Sequence, residues 1–136
     1  MNTMGRKHIQ VTCAIIERNG LVLAAQRSAV MTLPLKWEFP GGKIRGGETP
    51  EECLRWEIRE ELGLEIAVFQ QLPFSIHDYS KLTVTLHPFI CSIIAGEVTL
   101  HEHADATWRR AKELVNLDWA AADVPVLDAY LKHLGG

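Results

Sequence analysis

The chain has 136 residues, of which 47% are hydrophobic and 23% are charged, and its formal net charge is −3 at pH 7. This composition is ordinary for a globular domain, and the slightly negative charge excludes the broad basic surface that attracts duplex nucleic acid or an anionic membrane. No segment has the run of about 18 apolar residues that indicates a membrane span. From the length of the chain we expect one domain over residues 1–136.

The N-terminus and the cysteines indicate the compartment. The first ten residues lack the apolar core of a signal peptide. Cys13, Cys53 and Cys91 are odd in number and widely spaced, which favours buried thiols in a reducing compartment over disulfides. We therefore expect a cytoplasmic protein.

Two strands joined by a hairpin begin the predicted fold. Residues 9–17 are apolar and β-branched, and Asn19 and Gly20 form a hairpin signal before a returning strand over residues 21–26. Arg27 follows at the end of that strand. It is either a solvated surface arginine or a contact to a ligand.

A glycine-rich loop and a helix form the central stretch. The extended residues 37–40 enter the loop, whose glycines let the backbone approach a ligand closely. These glycines are Gly41, Gly42, Gly46 and Gly47. A helix is predicted over residues 50–62, with Thr49 as N-cap, Glu52 completing a capping box and Gly63 as the C-terminal stop.

The predicted helix has an apolar stripe and an acidic cluster beside it. The stripe consists of Leu54, Ile58 and Leu62, and the cluster of Glu57, Glu60 and Glu61. The three carboxylates lie near the helix C-terminus, where mutual repulsion and the helix dipole both oppose them. Such a cluster predicts a bound cation, and oxygen ligands suit Mg²⁺ or Mn²⁺. The alternative is a solvated acidic face.

Strands dominate the C-terminal half. They are predicted at residues 66–74, 82–94, 98–100 and 106–108. Polar loops are predicted around residues 77–81 and 101–105, and helices over 110–115 and 124–134. Because strands outnumber helices and the helices can cover both faces, the elements predict an α/β fold, an α/β/α sandwich with a mixed β-sheet.

The central stretch resembles the Nudix hydrolases, whose box reads G-x5-E-x7-R-E-U-x-E-E-x-G-U, with U a bulky aliphatic residue. The match starts at Gly42 and Glu48 and continues over residues 56–64. One fixed position differs, because Trp56 stands where the family has arginine. The family is an α/β/α sandwich, in agreement with the fold predicted from the elements.

The replaced arginine leaves alternatives open. In the family this arginine helps to hold the acidic cluster, so Arg45 or Arg55 could supply a guanidinium here. Trp56 could instead pack over a neighbouring strand. A further alternative is a non-catalytic Nudix-like nucleotide-binding module, against which the intact acidic cluster argues.

The resemblance implies a role for each matching position. Family members use water and a divalent metal to hydrolyse nucleoside diphosphates linked to a further group, so Mg²⁺ is the expected cofactor and Mn²⁺ a substitute. The implied metal ligands in and beside the box are Glu57, Glu60, Glu61 and the Gly41 carbonyl. The implied structural positions are Gly42, Glu48 and Gly63.

Outside the box, the chain most resembles the MutT-like branch. Glu102 precedes Trp108 by six residues, as a metal-site glutamate does in that branch, so Glu102 is the candidate general base and a further metal ligand; otherwise it is a solvated loop residue. The implied nucleotide contacts are Arg27, Glu38, Phe39, Pro40, Gly41 and Asp123. His101 and His103 also permit a zinc interpretation, but no third nitrogen or sulfur ligand lies nearby in the sequence.

Asp123 occupies the position of a base-reading asparagine in the MutT-like branch. An ionised carboxylate only accepts hydrogen bonds, and both the cytosine amine and the N1–H edge of guanine donate them. Asp123 is equally a candidate helix N-cap. The His-Glu-His loop and the Asp-Val-Pro sequence look most like the CTP pyrophosphohydrolases, which favours CTP, dCTP or modified pyrimidine triphosphates over 8-oxo-dGTP.

The expected reaction converts a nucleoside triphosphate and water into a nucleoside monophosphate and pyrophosphate. The expected partner is this small nucleotide, with no duplex nucleic acid or membrane, and the protein is expected to be a monomer or a homodimer. A hydrolase of sugar nucleotides or dinucleotides is a further alternative.

Overall fold

A computed structural model describes residues 6–135. The N-terminal residues 1–5, on which the signal-peptide prediction partly rests, lie outside the described residues. The strands are β1 (Lys7–Arg18), β2 (Leu21–Gln26), β3 (Trp37–Glu38), β4 (Gly41–Lys43), β5 (Glu65–Gln71), β6 (Ser75–Tyr79), β7 (Leu82–Ala95) and β8 (Asp105–Arg109). The α-helices are α1 (Pro50–Leu62) and α2 (Val124–Gly135), and two 3₁₀-helices span Ala111–Asn116 and Ala121–Asp123.

The strands form one mixed sheet around β1 and β7. These two long strands are parallel, in register from Lys7 opposite Leu82 to Glu17 opposite Ser92. The central strand order is β3-β2-β1-β7-β5, and β4, β6 and β8 pair antiparallel with β1, β7 and β2 respectively. This arrangement confirms the predicted mixed β-sheet.

Alternate residues of β1 supply the two faces of the sheet. Cys13 and Ile15 pack in the cluster that contains Tyr130 of α2, and Ala14 and Ile16 pack in the cluster that contains the apolar stripe of α1. These four consecutive residues of β1 are all buried, as expected for a central strand that is covered on both faces. The predicted α/β/α sandwich is therefore confirmed.

Helix α1 has the boundaries that the sequence predicts. The Thr49 hydroxyl accepts a hydrogen bond from the Glu52 N–H at 3.1 Å, and the Glu52 carboxylate accepts one from the Thr49 N–H at 2.9 Å. Gly63 ends the helix with φ of 69°, a left-handed conformation that glycine adopts without a steric penalty. Local capping chemistry thus fixes the helix that carries the acidic cluster.

The structure corrects several predicted elements. Residues 77–81 are not a loop, because residues through Tyr79 form strand β6, which pairs with β7 from Tyr79 opposite Leu82. Residues 98–100 are not a strand; the Thr99 N–H instead bonds the Leu62 carbonyl at 2.9 Å. The strand predicted over 66–74 ends at Gln71, and the predicted helix over 110–115 is a 3₁₀-helix.

Within residues 6–135, neither helix combines the length and the apolar character needed to cross a bilayer. The cysteines Cys13, Cys53 and Cys91 are buried, as predicted. Burial raises the pKa of the Cys53 thiol to about 11, so this thiol stays protonated near neutral pH.

Candidate active site

Two glutamates of α1 face the glycine loop one helical turn apart. Glu61 is only 7% exposed, and Glu57 is partly buried. A Cβ placed on Gly42 would overlap the carboxyl group of Glu57, so the absence of a side chain at Gly42 makes room for this carboxylate. The helix and the loop therefore form one acidic site.

The surroundings of Glu57 and Glu61 disfavour the ionised form of both carboxyl groups. Burial raises the pKa of Glu61, and the negative charges of Glu38, Glu57 and Glu102 raise it further. Burial also raises the pKa of Glu57, with additional repulsion from Glu102, whereas the charge of Arg45 acts in the opposite direction. Four acidic groups near one another, with Glu61 buried, form a site that a cation would stabilise.

Glu60 differs from Glu57 and Glu61 in its exposure. It is exposed, and the charges that shift the pKa of Glu57 and Glu61 come from other residues. Its backbone carbonyl accepts a hydrogen bond from Nδ1 of His101 at 2.7 Å. The predicted part of Glu60 in the metal site stays a prediction.

The glycine loop lies tightly against β1. Gly41 pairs with Cys13, and a Cβ on Gly41 would overlap the backbone carbonyl of Thr12. The adjacent Pro40 carbonyl accepts a hydrogen bond from the Ala14 N–H at 2.8 Å. The β1 strand thus fixes the backbone that carries the predicted Gly41 ligand.

Glu48 has the structural environment that its box position implies. Its carboxylate accepts a hydrogen bond from the Arg45 N–H at 2.8 Å, and its own N–H donates to the Arg45 carbonyl at 3.2 Å. This reciprocal pair closes the turn that includes Gly46 and Gly47, of which Gly47 has φ of 87°. Glu48 therefore shapes the loop that precedes α1.

A chain of polar contacts joins the acidic side of the site to the opposite wall. Arg27 donates to Glu38 at 2.7 Å, and Nε2 of His103 contacts the other oxygen of Glu38 at 2.8 Å. The same His103 nitrogen lies 3.8 Å from Glu61. Arg27 is thus paired with Glu38 on the cavity wall, and its predicted contact with a nucleotide stays a prediction.

A cavity of about 240 Å³ opens beside this chain of contacts. Its lining includes the predicted nucleotide contacts Arg27, Glu38, Phe39, Gly41 and Asp123. Apolar side chains of β1 and β7, such as Val11 and Leu86, complete the wall. A small cavity with a few polar groups on apolar walls is a common ligand-binding arrangement.

Asp123 lies at the buried end of this cavity. Its carboxylate accepts a hydrogen bond from the Phe39 N–H at 2.9 Å, across 84 positions of sequence. Burial raises its pKa well above the ordinary value, and repulsion from Glu38 adds to the effect. The side chain of Asp123 therefore faces the cavity and Phe39, and it does not cap α2 as the N-cap alternative requires.

The sequence did not reveal two contributors to the site. His103 is buried, and its contact with Glu38 depends on the meeting of strand β3 with the loop before β8, 65 positions apart. Tyr79 lines the cavity, and its hydroxyl accepts a hydrogen bond from the Ala122 N–H at 3.0 Å. The alternating histidines were a signal for His103, whereas Tyr79 was hidden in a stretch that reads as a polar loop.

The zinc alternative for the histidine pair does not fit their positions. His101 contacts a carbonyl of α1, whereas His103 contacts Glu38. Ligand atoms of Glu38, Glu61 and His103 lie within 4.8 Å of one another, so His103 is grouped with carboxylates and not with His101. Together with Glu57 and Glu102, the donors are mainly oxygen atoms, which suit Mg²⁺ or Mn²⁺.

Comparison with known proteins identifies similar sequences and structures. The sequence matches the NUDIX domain family over residues 11–129. It is 36% identical to the CTP pyrophosphohydrolase of Escherichia coli K12, over 92% of this chain and 93% of that protein. It is 32% identical to the 8-oxo-dGTP diphosphatase of the same strain, over 94% and 99%. The solution structure of the E. coli ORF135 protein matches with a TM-score of 0.81 at 35% identity, over 93% of this chain and 91% of that one.

Proposed function

The chain belongs to the Nudix family of hydrolases, and from this we propose that it is a Mg²⁺-dependent nucleoside triphosphate pyrophosphohydrolase favouring CTP, dCTP or modified pyrimidine triphosphates. It is an enzyme that cleaves phosphoanhydride bonds. In the proposed reaction, water attacks the triphosphate to give the nucleoside monophosphate and pyrophosphate. The single observation that carries the proposal is the cavity with Asp123 at one end and, beside it, the buried Glu61 and the partly buried Glu57 of α1.

The carboxylates fit a divalent cation. The proposed ligands are Glu57, Glu60, Glu61, Glu102 and the Gly41 carbonyl. When bound, the metal would neutralise phosphate oxygens and lower the pKa of a bound water. The burial of Glu61 and the repulsion from the neighbouring carboxylates support this assignment, because a cation would offset both.

The remaining residues bind and orient the nucleotide. Arg27, held by Glu38, lies on the cavity wall where its guanidinium can contact the substrate. Phe39, Pro40 and Gly41 form the backbone beside the nucleotide. Glu102 is proposed as the general base that accepts the proton of the attacking water.

Asp123 is proposed to read the base edge. The Phe39 N–H bonds one carboxylate oxygen, so the group is held in one orientation. When neutral, the carboxyl group offers one donor and one acceptor, which match N3 and the amine of cytosine. Burial raises the pKa of Asp123 and so favours its neutral form more than in an exposed aspartate.

The second candidate is 8-oxo-dGTP diphosphatase activity. It is favoured by similarity to the E. coli 8-oxo-dGTP diphosphatase over nearly the whole of both chains. An ionised Asp123 would accept hydrogen bonds from the N1–H and amine of guanine. The two candidate activities would use the same metal site. They differ in whether the buried carboxyl group of Asp123 is neutral or ionised.

Parallel kinetics on CTP, dCTP, 5-methyl-dCTP and 8-oxo-dGTP test the proposal, with pyrophosphate release measured with and without Mg²⁺. We expect Mg²⁺-dependent release and the highest kcat/KM on a cytosine nucleotide. A higher value on 8-oxo-dGTP would transfer the assignment to the second candidate. Nucleotide binding without hydrolysis of any of the four would favour the non-catalytic alternative suggested by Trp56.

A further inference from the structure

The loop that carries Glu102 is anchored first to the end of α1. Nδ1 of His101 donates to the Glu60 carbonyl at 2.7 Å, and the His101 backbone N–H donates to the Glu61 carbonyl at 3.2 Å. The last four carbonyls of an α-helix have no partner within the helix. His101 therefore binds the loop to groups that are available at this place in the fold.

The second anchor lies on the other side of Glu102. The side chain of His103 is 1% exposed, and its Nε2 donates to Glu38 at 2.8 Å. The next residue, Ala104, donates its N–H to the carbonyl of Gln26 at 2.9 Å. This part of the loop is thus attached to β2 and to the residue that also binds Arg27.

Glu102 lies between these two anchors and is itself exposed. Its two neighbours lie against the acidic site: His101 bonds the carbonyls of Glu60 and Glu61, and Nε2 of His103 is 3.8 Å from the Glu61 carboxylate, so the backbone places Glu102 beside this site. An exposed glutamate on an unsupported loop loses considerable conformational entropy when it is fixed in one place. Anchoring both neighbours reduces the freedom that Glu102 must lose.

We propose that His101 and His103 are positioning residues that hold Glu102 against Glu57 and Glu61 by binding its loop to α1 and to Glu38. This inference rests on the role of Glu102 in the proposed function. It explains the His-Glu-His sequence without zinc: each histidine contributes one ring nitrogen as a hydrogen-bond donor, and the residue between them carries the reactive group.

A double-mutant design separates this role from a general structural role. His101→Ala and His103→Ala are each made in the native sequence and in Glu102→Ala, with exposed His133→Ala in α2 as the matched control. In the native sequence, each should lower kcat about ten- to a hundred-fold, the usual effect of residues that orient a metal-site group. In Glu102→Ala, neither should lower kcat further, because the residue they position is gone.

Two further variants test the donor atoms. Asn at position 101 places an amide nitrogen near the former Nδ1, and Gln at position 103 places one near the former Nε2. His101→Asn and His103→Gln should therefore recover most of kcat. Mn²⁺ binding to the nucleotide-free protein, measured by electron paramagnetic resonance, should weaken in both alanine variants and recover in the amide variants.

Several outcomes would overturn the proposal. These are equal losses of kcat in the native and Glu102→Ala backgrounds, unchanged kcat in the alanine variants, or failure of the amide variants to recover activity. Unchanged kcat in Glu102→Ala alone would also overturn it, since Glu102 would then have no role to support. Mg²⁺-dependent pyrophosphate release by the native protein would still leave the proposed hydrolysis standing.

Discussion

Arg45 lies over the ring of Trp56, with its guanidinium carbon 5.4 Å from the ring centroid. Trp56 occupies the box position where the family has arginine. The positive charge of Arg45 counteracts the rise that burial causes in the pKa of the adjacent Glu57. The other candidate, Arg55, lies 3.8 Å from Glu51 on the outer face of α1. A cation–π contact thus keeps a guanidinium near the carboxylate although the box arginine is absent.

The first prediction is that Arg45 and an arginine at position 56 substitute for each other. Arg45→Ala should lower kcat about ten-fold, because Glu57 loses the guanidinium that helps to hold it. Trp56→Arg should have little effect alone and should restore activity to Arg45→Ala. Pyrophosphate release by the four proteins measures this, with Arg55→Ala as the control. If Arg45→Ala lowered kcat equally in the native protein and in Trp56→Arg, Arg45 would act elsewhere than on Glu57.

The second prediction concerns the helix carboxylates. Glu57→Gln and Glu61→Gln should each lower Mg²⁺-dependent turnover by about a hundred-fold or more, because an amide is a poor ligand for a divalent cation. The fold should be retained, since the substitutions keep the side-chain volume. Turnover and circular dichroism on the same preparations provide the test. Substantial Mg²⁺-dependent turnover in both variants would remove the metal-site assignment.

Helix α1 shows why part of this site could be predicted from sequence. Its boundaries depend on Thr49, Glu52 and Gly63, which all act within a few residues, so the spacing alone places the acidic cluster on one helix. The contact between Glu38 and His103 could not be predicted in this way. It depends on how β2, β3 and β8 are ordered in the sheet, and sequence spacing does not specify that order.

Strand β6 shows a second limit of sequence interpretation. Its residues include His77 and Asp78, and such polar side chains are typical of a loop. They form a strand because β7 offers an antiparallel partner after a two-residue turn. The backbone hydrogen bonds of β6 are therefore satisfied by the next strand, β7, and the composition of β6 alone does not reveal this pairing.

The third prediction is a pH dependence of stability in the metal-free protein. The pKa of Glu61 is raised in the folded state, so above its ordinary value of 4.5 the folded protein holds a proton that the unfolded chain has lost. Stability should therefore fall as pH rises through this window, and Mg²⁺ should stabilise the protein more at higher pH. Each unit of pKa difference is worth about 1.4 kcal/mol.

Thermal unfolding between pH 5 and pH 9, with and without Mg²⁺, measures this effect. Glu61→Gln should reduce the slope of stability against pH, because the amide does not titrate. Part of the slope should remain, since the pKa values of Glu57 and Asp123 are raised in the same direction. An unchanged slope in Glu61→Gln would contradict the assigned environment of this carboxylate.

The fourth prediction separates the roles of three glycines. Gly41→Ala should destabilise the protein by about 3 kcal/mol or more, because the new methyl group would overlap the fixed backbone of Thr12. Gly42→Ala should mainly lower turnover, because the overlapping group is the movable side chain of Glu57. Gly46→Ala is the matched control, since apart from its two chain neighbours no atom of residues 6–135 lies within 4 Å of its added Cβ. Chemical denaturation and turnover distinguish the three outcomes.

The fifth prediction is that base selectivity depends on the protonation of Asp123. Below its raised pKa, the neutral carboxyl group can donate to N3 of cytosine and accept from the amine, whereas the ionised group can only accept. The ratio of kcat/KM for CTP to that for UTP should therefore fall as pH rises, because N3–H of uracil is a donor. The groups that act on Asp123 are Glu38, which raises its pKa, and Arg27 and the Phe39 N–H, which lower it.

Asp123→Asn is the control that isolates this carboxyl group. The amide keeps one donor and one acceptor at every pH, so the ratio for CTP and UTP should become nearly independent of pH in this variant. Because both substrates carry the same triphosphate and use the same metal site, titration of the other carboxylates cancels in the ratio. A pH-dependent ratio that persists in Asp123→Asn would place base recognition on another residue of the cavity.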